Sequence, residues 1–305
     1  MRLAVVDIGS NAIRCQITKI LRNGNQVNFK KIEYIRYPIR FGEDVFKIAE
    51  IGKSKEQKFY KLMQALKLLF DVYDVEDYMI CATSAMRESK NGRQIADKVL
   101  RETGLEINII DGETEAEYIN KIVYSNLDEH NYLHIDVGGG STEINLYVNK
   151  QNIASNSFKV GSVRSLNKAD TPEMWNEMQN WLNSHIPRDI GPITAIGTGG
   201  NIDKIFDLSK VKSKNREISR FAIEKTINFI KKYSVEERIN ILMLNPDRAD
   251  VIVPASEIYL SAMKWGGATK MIVPDVALKD GMIQILYEKH FSDSEDVTRN
   301  IITTY

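Results

Sequence analysis

The sequence has few cysteines and few histidines. Its 305 residues include two cysteines, Cys15 and Cys81, and four histidines. Both cysteines lie in apolar segments typical of strands, where a free cysteine behaves as a small buried hydrophobic side chain. Two cysteines cannot build a disulfide framework or a cysteine-rich zinc site, and the histidines lack metal-ligand spacing. The sequence therefore indicates neither a disulfide-stabilised protein nor a zinc protein.

The sequence also lacks an excess charge of either sign and any long apolar run. Lys+Arg and Asp+Glu are both 41, so the formal net charge is zero. A neutral protein exerts no overall field on a polyanion, which argues against a general nucleic-acid-binding protein. No uncharged apolar run approaches the roughly 18 residues that a membrane span needs, and Asp7 interrupts the first apolar segment. We expect a cytoplasmic protein that binds neither nucleic acid nor membranes.

The order of predicted elements favours two similar halves. The chain is longer than a typical single domain, and 43% of its residues are hydrophobic, which is enough for a sizeable core. Each half begins with three strand-like segments and continues with alternating helices and strands, a pattern typical of α/β proteins. We predict an N-terminal domain over residues 1–127 and a C-terminal domain over residues 128–305. The last helix could pack back on the first domain.

Local patterns predict several helix boundaries. Ser54 and Ser234 are each followed three residues later by Gln or Glu, which is the pattern of a capping box. Thr171 precedes Pro172, which suits an N-cap residue followed by proline in the first helical position. A single helix is predicted over residues 249–265.

A glycine-rich turn occurs twice. The stretches "AVVDIGSN" (4–11) and "LHIDVGGGST" (133–142) are each an apolar strand that ends in Asp-x-Gly. Because the surrounding elements also repeat, the turns indicate internal duplication. Glycine lets backbone amides approach an anion, and Mg²⁺ in proteins is often held by one or two carboxylates together with phosphate oxygens. The predicted phosphate-binding residues are Gly9, Ser10, Asn11, Gly138, Gly139, Gly140, Ser141 and Thr142. The predicted metal ligands are Asp136, Asp7 and Glu143.

A third glycine-rich stretch, "IGTGGN" (196–201), follows a predicted strand and precedes a predicted helix. The N-terminus of a helix binds anions, so Gly199 joins the predicted phosphate-binding residues. A strand–helix turn without a ligand is the alternative. A basic stretch over residues 210–220 could bind the distal part of an anionic chain, although a solvated loop is the interpretation that we favour.

Together the three stretches resemble the phosphate-1, phosphate-2 and third glycine-rich motifs of the actin-like ATPase superfamily. The stretches "CATSAMRESKN" (81–91) and "IIDGETEAEYI" (109–119) resemble segments of the exopolyphosphatase and guanosine pentaphosphate phosphohydrolase family. The stretches "DRADVIVPAS" (247–256) and "VALKDGMI" (276–283) are similar to two further segments of that family. The resemblance covers nearly the whole chain. It implies two duplicated actin-like (ribonuclease H-like) α/β domains with a central cleft.

The sequence departs from the pattern of that family at four positions. Thr114 replaces the first glutamate of a pair, whereas Glu115 keeps the second. Asp111, Asn201 and Pro254 stand where the family usually has serine, threonine and glycine. From its length we expect a short, two-domain form that prefers short polyphosphate chains.

The resemblance implies hydrolysis of a terminal phosphoanhydride bond by in-line attack of water, with Mg²⁺ as cofactor. It assigns Glu115 as the general base and Arg87 as a ligand of the terminal phosphate. The implied substrate is inorganic polyphosphate, with guanosine pentaphosphate as the alternative. A small-molecule kinase and a non-catalytic polyphosphate or nucleotide sensor are less favoured. A monovalent cation such as K⁺ and a homodimer are left open.

Overall fold

The computed structural model describes residues 1–24, 26–124, 127–187, 189–291 and 298–300. The chain divides into two compact units. The first comprises Met1–Asp111, Tyr118–Lys121 and Leu278–Tyr305, and the second comprises Gly112–Glu117 and Ile122–Ala277. The segment that follows residue 277 thus belongs to the first unit. The domain boundary between residues 127 and 128 stays a prediction.

The first unit is built on a six-stranded mixed sheet. Its strands are β1 (Arg2–Ile8), β2 (Ile13–Asn23), β3 (Gln26–Tyr37), β4 (Asp77–Ala82), β5 (Asn108–Ile109) and β12 (Thr298–Asn300). Their order across the sheet is β12-β3-β2-β1-β4-β5. Strands β1 to β3 form an antiparallel meander, and β4 lies parallel to β1.

Helices cover both faces of this sheet. They are α1 (Phe41–Ile48), α2 (Lys53–Val72), α3 (Ser84–Glu88), α4 (Gly92–Thr103) and α13 (Leu278–Phe291). Alternate side chains of β1 and β2, among them Ala4, Val6 and Cys15, are buried in a core that includes residues of α1 to α4. Because successive strand residues point to opposite faces, the other side chains of β1 face the side where α13 packs. The predicted burial of both cysteines is confirmed.

The second unit repeats this arrangement. Its strands are β6 (Asn131–Val137), β7 (Thr142–Val148), β8 (Gln151–Phe158), β9 (Ile193–Thr198), β10 (Glu217–Ser219) and β11 (Lys270–Ile272). Their order is β10-β11-β9-β6-β7-β8, so the meander β6 to β8 and the parallel strand β9 correspond to β1 to β3 and β4. The predicted repetition of the strand order is confirmed.

Helices also surround the second sheet. They are α5 (Gly112–Tyr124), whose residues 118–121 belong to the first unit, and α6 (Ser162–Leu166), α7 (Pro172–His185), α8 (Gly200–Ser209), α9 (Arg220–Ile230), α10 (Val235–Asn240), α11 (Pro246–Ala249) and α12 (Ile252–Trp265). The core of the unit combines Leu133 and Ile135 of β6 with Ile258 and Ala262 of α12. Among the described residues, no helix has the length and the apolar composition needed to cross a membrane.

Two predicted helix boundaries are confirmed, and two are wrong. The capping box of Ser234 is present, and Thr171 is the N-cap of α7. Helix α2, however, begins at Lys53 after Gly52, whose amide is fixed by a 3.0 Å hydrogen bond to the Asp44 carboxylate. The predicted helix 249–265 is broken into α11 and α12. Pro254 has no backbone N–H to donate to a carbonyl in a helix interior, so it is tolerated only in the first turn of the new helix.

Candidate active site

Two acidic side chains are neighbours in the sheet of the second unit. Asp136 of β6 lies opposite Glu143 of β7, and Glu143 lies opposite Ser157 of β8. Glu143 is 1% exposed, and its Oε1 accepts a 2.7 Å hydrogen bond from the Ser157 hydroxyl. A buried carboxylate is costly unless its charge is compensated, and here a second carboxylate is its cross-strand neighbour. The arrangement therefore suits a bound cation.

The helix that carries Glu115 begins beside the same serine. Glu115 lies in the first turn of α5 and is 8% exposed. A Cβ atom at Gly112 would lie 2.6 Å from Oγ of Ser157, so only glycine allows the start of α5 to approach β8 this closely. The positive end of the helix dipole attracts a negatively charged side chain in the first turn. Ser157 thus contacts both the acidic pair and the start of the helix that carries the predicted base.

The glycine-rich loop between β6 and β7 is a closed turn. The amide of Gly138 donates to the Ser141 carbonyl at 2.9 Å, and no loop or turn hydrogen bond joins the amides of Gly139 and Gly140 to a backbone carbonyl of a described residue. Ser141 and Thr142 are buried, and the Thr142 hydroxyl donates to the Val160 carbonyl at 2.6 Å. Gly139 and Gly140 are therefore better placed than Gly138 to offer amides to an anion.

The third glycine-rich stretch adjoins Asp136. Gly199 has a φ of 106°, which only glycine adopts without strain, and a Cβ there would lie 3.1 Å from Oδ1 of Asp136. The hydroxyl of Tyr259 donates to the Thr198 carbonyl and accepts a 3.3 Å hydrogen bond from the amide of Val137. Burial, together with the nearby charge of Asp136, raises the pKa of Tyr259 well above its ordinary value. Tyr259 therefore joins the ends of β6 and β9 as a neutral phenol.

A second buried polar group joins the same strands. The imidazole of His134 contacts Thr198 Oγ1 at 2.9 Å and Asn145 Nδ2 at 3.0 Å, and all three residues are fully buried. Burial lowers the pKa of His134 to about 3, so the ring is neutral at physiological pH. A neutral imidazole can accept from the asparagine amide at one nitrogen and donate to the threonine hydroxyl at the other. These hydrogen bonds join β6, β7 and β9 close to the glycine-rich loops of the second unit.

In the first unit, the equivalent aspartate has a basic partner. Oδ2 of the buried Asp7 accepts a 2.7 Å hydrogen bond from Nη1 of Arg14, its cross-strand neighbour on β2. The amide of Gly9 donates to the Ala12 carbonyl at 3.1 Å and closes the turn, as the amide of Gly138 does in the second unit. The charge of Asp7 is thus compensated by a side chain of the same sheet.

The predicted phosphate ligand Arg87 lies on the short helix α3, which is tied to this loop. The hydroxyls of Ser10 and Ser84 are 2.8 Å apart, and the Thr83 amide donates to the Ile8 carbonyl at 3.1 Å. Nη1 of Arg87 donates to the Ile110 carbonyl at 2.6 Å. One nitrogen of the guanidinium is therefore fixed by the backbone, and a planar guanidinium presents several further donors.

The donor set of the second unit fits magnesium. Among the described residues, no three His, Cys, Asp or Glu side chains are grouped closely enough to hold a metal ion by themselves. Mg²⁺ does not need such a group, because it commonly binds one or two carboxylates and takes its other oxygens from water and phosphate. Asp136 and the buried Glu143 supply two carboxylates beside a glycine-rich loop.

A sequence model of the Ppx/GppA phosphatase family matches residues 20–290, which is most of the chain. The chain belongs to this family. Its membership confirms the resemblance seen in the sequence and the expectation of a phosphohydrolase.

The predicted fold of two actin-like α/β domains is also supported by solved structures. A family member from Aquifex aeolicus, at 24% identity, has a TM-score of 0.72 and covers 97% of this chain and 99% of its own. An exopolyphosphatase from Cytophaga hutchinsonii, at 20% identity, has a TM-score of 0.79 and covers 96% and 98%.

Curated relatives of this Ppx/GppA chain have several names. The bifunctional 3-dehydroquinate synthase/phosphatase of Fusobacterium nucleatum is 30% identical, and the match covers 89% of this chain but 44% of that protein. Exopolyphosphatase 1 of Mycobacterium tuberculosis is 22% identical, with 93% of this chain and 87% of that protein covered. The guanosine-5'-triphosphate,3'-diphosphate pyrophosphatase of Aliivibrio fischeri is 21% identical, with 92% and 58% covered. The chain thus spans less than two thirds of the first and third of these relatives.

The structure brings several predicted residues of this Ppx/GppA chain together within the second unit. Asp136 adjoins Glu143 and Gly199, and Ser157 links Glu143 to the start of the helix of Glu115. The predicted loop residues 138–142 also belong to the second unit, whereas Asp7, Gly9, Ser10, Asn11 and Arg87 belong to the first unit. The roles assigned to all of these residues as metal ligands, phosphate ligands or base stay predictions.

Sequence reasoning missed three kinds of residue around these loops. Arg14 could have been found, because a tight hairpin after Asp7 places it directly opposite on the next strand. Ser157 and Tyr259 gave no such signal, because their positions depend on strand register and on the packing of α12.

Proposed function

We propose that this chain is an exopolyphosphatase, which releases the terminal phosphate of inorganic polyphosphate. The observation that carries the proposal is the contact of Ser157 with both the Asp136–Glu143 pair and the start of the helix of Glu115. A cation site and a general base beside a glycine-rich loop are the parts that hydrolysis of a phosphoanhydride requires. The name of the mycobacterial relative, exopolyphosphatase, supports the choice of substrate.

The glycine-rich loop of the second unit binds the terminal phosphate in this proposal. The amides of Gly139 and Gly140 can form a concave set of donors, which stabilises the charge on the phosphoryl oxygens. The resemblance to the family assigns a further phosphoryl oxygen to the guanidinium of Arg87, whose planar fork matches phosphate geometry.

Asp136 and Glu143 would hold magnesium. When bound there, Mg²⁺ would neutralise part of the charge of the substrate phosphates. The hydrogen bond from Ser157 keeps the Glu143 carboxylate in one orientation, and Gly199 leaves room beside Asp136 for ligands other than protein side chains. We expect activity to require a divalent cation and to be lost on chelation.

Glu115 acts as the general base. It accepts a proton from the attacking water as the water oxygen forms a bond to the terminal phosphorus. The bond from that phosphorus to the bridging oxygen breaks, and its electron pair stays with the shortened polyphosphate. The products are inorganic phosphate and a chain shorter by one phosphate. Burial of Glu115 fits this role, because it limits the number of water molecules that can compete for the carboxylate.

Guanosine pentaphosphate is the alternative substrate. The relative from Aliivibrio fischeri is named for such a nucleotide, and the bond broken is again a terminal phosphoanhydride. Release of phosphate from tripolyphosphate, longer polyphosphates, guanosine pentaphosphate and ATP, each with and without magnesium, separates the two activities. Faster turnover of the guanosine nucleotide than of every polyphosphate would overturn our choice. A requirement for K⁺ and a homodimeric state stay open, and a cytoplasmic location stays a prediction.

A glutamine substitution tests the base. Glu115→Gln should lower kcat by about 10²–10⁴-fold, the usual contribution of a general base, while tripolyphosphate still binds. Glu113→Gln is the matched control, since Glu113 lies in the same first turn but is exposed. The measurements are steady-state phosphate release and calorimetric binding. Equal activity of the two variants would exclude Glu115 as the base.

A further inference from the structure

The carbonyl groups of the three glycines in the loop of the second unit face one short helix. The amide of Ser162 donates to the Gly138 carbonyl at 3.0 Å. The amides of Val163 and Arg164 both donate to the Gly139 carbonyl, at 2.8 and 3.0 Å. These donors are the first residues of α6, whose initial amides have no partner within the helix itself. The start of α6 therefore binds the carbonyl side of the loop.

Side chains complete this contact. Nε of Arg164 donates to the Gly140 carbonyl at 2.8 Å, and the hydroxyl of Ser162 donates to the Gly138 carbonyl at 3.1 Å. Arg164 is 5% exposed. Gly161, just before the helix, is packed so closely that a Cβ atom there would lie 2.5 Å from the carbonyl carbon of Gly140. The loop and α6 thus touch without space for a further atom.

The contact sets the direction of the amides of the loop. A peptide group is planar and trans, so the carbonyl of one residue and the amide of the next point in opposite directions. The carbonyls of Gly138, Gly139 and Gly140 point to α6, so the amides of the residues that follow them point away from it. The last of these amides belongs to Ser141, and the carbonyl that orients it is bonded to the Arg164 side chain.

We propose that Arg164 is a positioning residue, which orients the Ser141 amide of the loop for the anion by holding the Gly140 carbonyl. The inference rests on the proposed function only in taking the anion to be the terminal phosphate of the substrate. Arginine suits the position because Nε is part of a rigid plane and its charge is permanent. A lysine has neither the plane nor a donor at the same point of its side chain.

Substitution of the arginine tests the proposal. Arg164→Met and Arg164→Lys should lower kcat for tripolyphosphate by about 10–100-fold, somewhat less than the loss of a direct oxyanion donor, with lysine the milder change. Arg238→Met and Arg238→Lys are the matched controls, because Arg238 also donates to backbone carbonyls, those of Ile230 and Ala249. The controls should lower the melting temperature by a similar amount and leave kcat near the wild-type value.

The amides themselves supply a second readout. In protein labelled with ¹⁵N-glycine and ¹⁵N-serine, addition of inorganic phosphate should shift the amide resonances of Gly139, Gly140 and Ser141 in the wild type and in both Arg238 variants. The shifts should be reduced and the apparent Kd for phosphate raised about tenfold in Arg164→Lys, which corresponds to the loss of one hydrogen bond to a charged group. A merely structural arginine would change the melting temperature without changing these shifts.

The outcomes separate this inference from the proposed function. If wild-type protein hydrolyses no polyphosphate but binds phosphate with these shifts, the proposed function fails and Arg164 is still tested by binding. Normal kcat, Kd and shifts in a folded Arg164→Lys variant would overturn the positioning role. Wild-type protein whose loop amides do not respond to phosphate or tripolyphosphate would overturn it as well.

Discussion

Three residues on neighbouring strands form a row at equivalent positions of the two sheets, but the charges of their side chains differ. In the first unit the row is Asp7, Arg14 and Arg36, on three neighbouring strands. In the second unit the row is Asp136, Glu143 and Ser157. The first aspartate therefore has an arginine as its neighbour, at 2.7 Å, whereas the second has another carboxylate.

This difference bears on where a cation would bind in the duplicated fold. The positive charge of Arg14 already compensates Asp7, so that row needs no metal to offset its charge. The second row combines two acidic groups, and like charges on adjacent strands are destabilising unless a cation joins them. We infer that metal binding depends more on the second row than on the first, although both began from the same Asp-x-Gly turn.

The hydrogen-bond donors to the carbonyl groups of the two loops also differ. In the first unit, the amides of Arg40 and Gly42 donate to the carbonyls of Asn11 and Ser10, at 2.9 and 2.8 Å. These two bonds come from the backbone. In the second unit, the backbone bonds are joined by two side-chain donors, one of them Arg164. The carbonyl groups of the second loop therefore accept hydrogen bonds from side chains as well as from the backbone.

Within this comparison of the two rows, the largest effect is expected when each aspartate is replaced by asparagine. Asp136→Asn should lower kcat by about 10²–10³-fold and raise the magnesium concentration needed for half-maximal activity, because bound metal contributes several kcal/mol to charge stabilisation. Asp7→Asn should lower the free energy of unfolding by about 1–3 kcal/mol, because Arg14 loses a charged hydrogen-bond partner, but change the magnesium requirement little.

Magnesium titrations of phosphate release and denaturant unfolding of both variants measure these effects. An equal rise in the magnesium requirement of the two variants would contradict the proposed difference between the rows, since Asp7 would then contribute as much to the metal site as Asp136.

A smaller effect is expected from the end of the second row. Ser157→Ala removes the hydrogen bond to Glu143, and loss of such a partner of a metal-binding carboxylate should weaken magnesium binding by about tenfold. Activity should return to near the wild-type value at saturating magnesium. Ser155→Ala is the control, because Ser155 lies two residues away on the same strand and is exposed. An unchanged magnesium requirement in Ser157→Ala would contradict the role of this serine.

The smallest expected effect concerns a contact within the first unit, which is built from separate parts of the sequence. The second unit is nearly continuous in sequence, whereas the first includes α13 from beyond residue 277. Lys289 and His290 of α13 contact Oδ2 of Asp77, at the start of β4, at 3.0 and 2.7 Å. Burial alone would raise the pKa of Asp77, but the hydrogen bonds from these two side chains lower it below its ordinary value.

A carboxyl group whose pKa is lowered in the folded state stabilises the protein above its unfolded pKa, about 3.9, and less as the pH falls through the folded pKa. Asp77→Asn should therefore lower the free energy of unfolding by up to about 1 kcal/mol at pH 7, and the difference should vanish at low pH. Thermal unfolding between pH 7 and strongly acidic pH measures it. Asp71→Asn, which breaks an exposed ion pair with Lys67, is the control. A deficit for Asp77→Asn that persists at low pH would contradict this account.

Much of the fold was predictable from local patterns, and the misses have physical causes. The repeated strands were predictable because apolar segments that end in glycine-rich turns identify them. Helix α1 was not predicted, because its start depends on Arg40, whose backbone has a φ of 55° and whose amide is held by the Asn11 carbonyl. The start of α2 was misplaced because Gly52 is fixed by the distant carboxylate of Asp44. In both cases a contact with another segment outweighed the local preference.

The sequence alone determined that the chain contains two related α/β halves, each with an aspartate at the end of its first strand, because that information lies in contiguous residues. Only the tertiary structure decided what stands beside each aspartate. Counting back from the turn after Val148 would pair Glu143 with Asn156, but a register shift between Leu146 and Tyr147 brings Ser157 opposite instead. A shift of one residue moves a strand's side chains to the other face of the sheet, and such a shift depends on packing across strands, which no local pattern records.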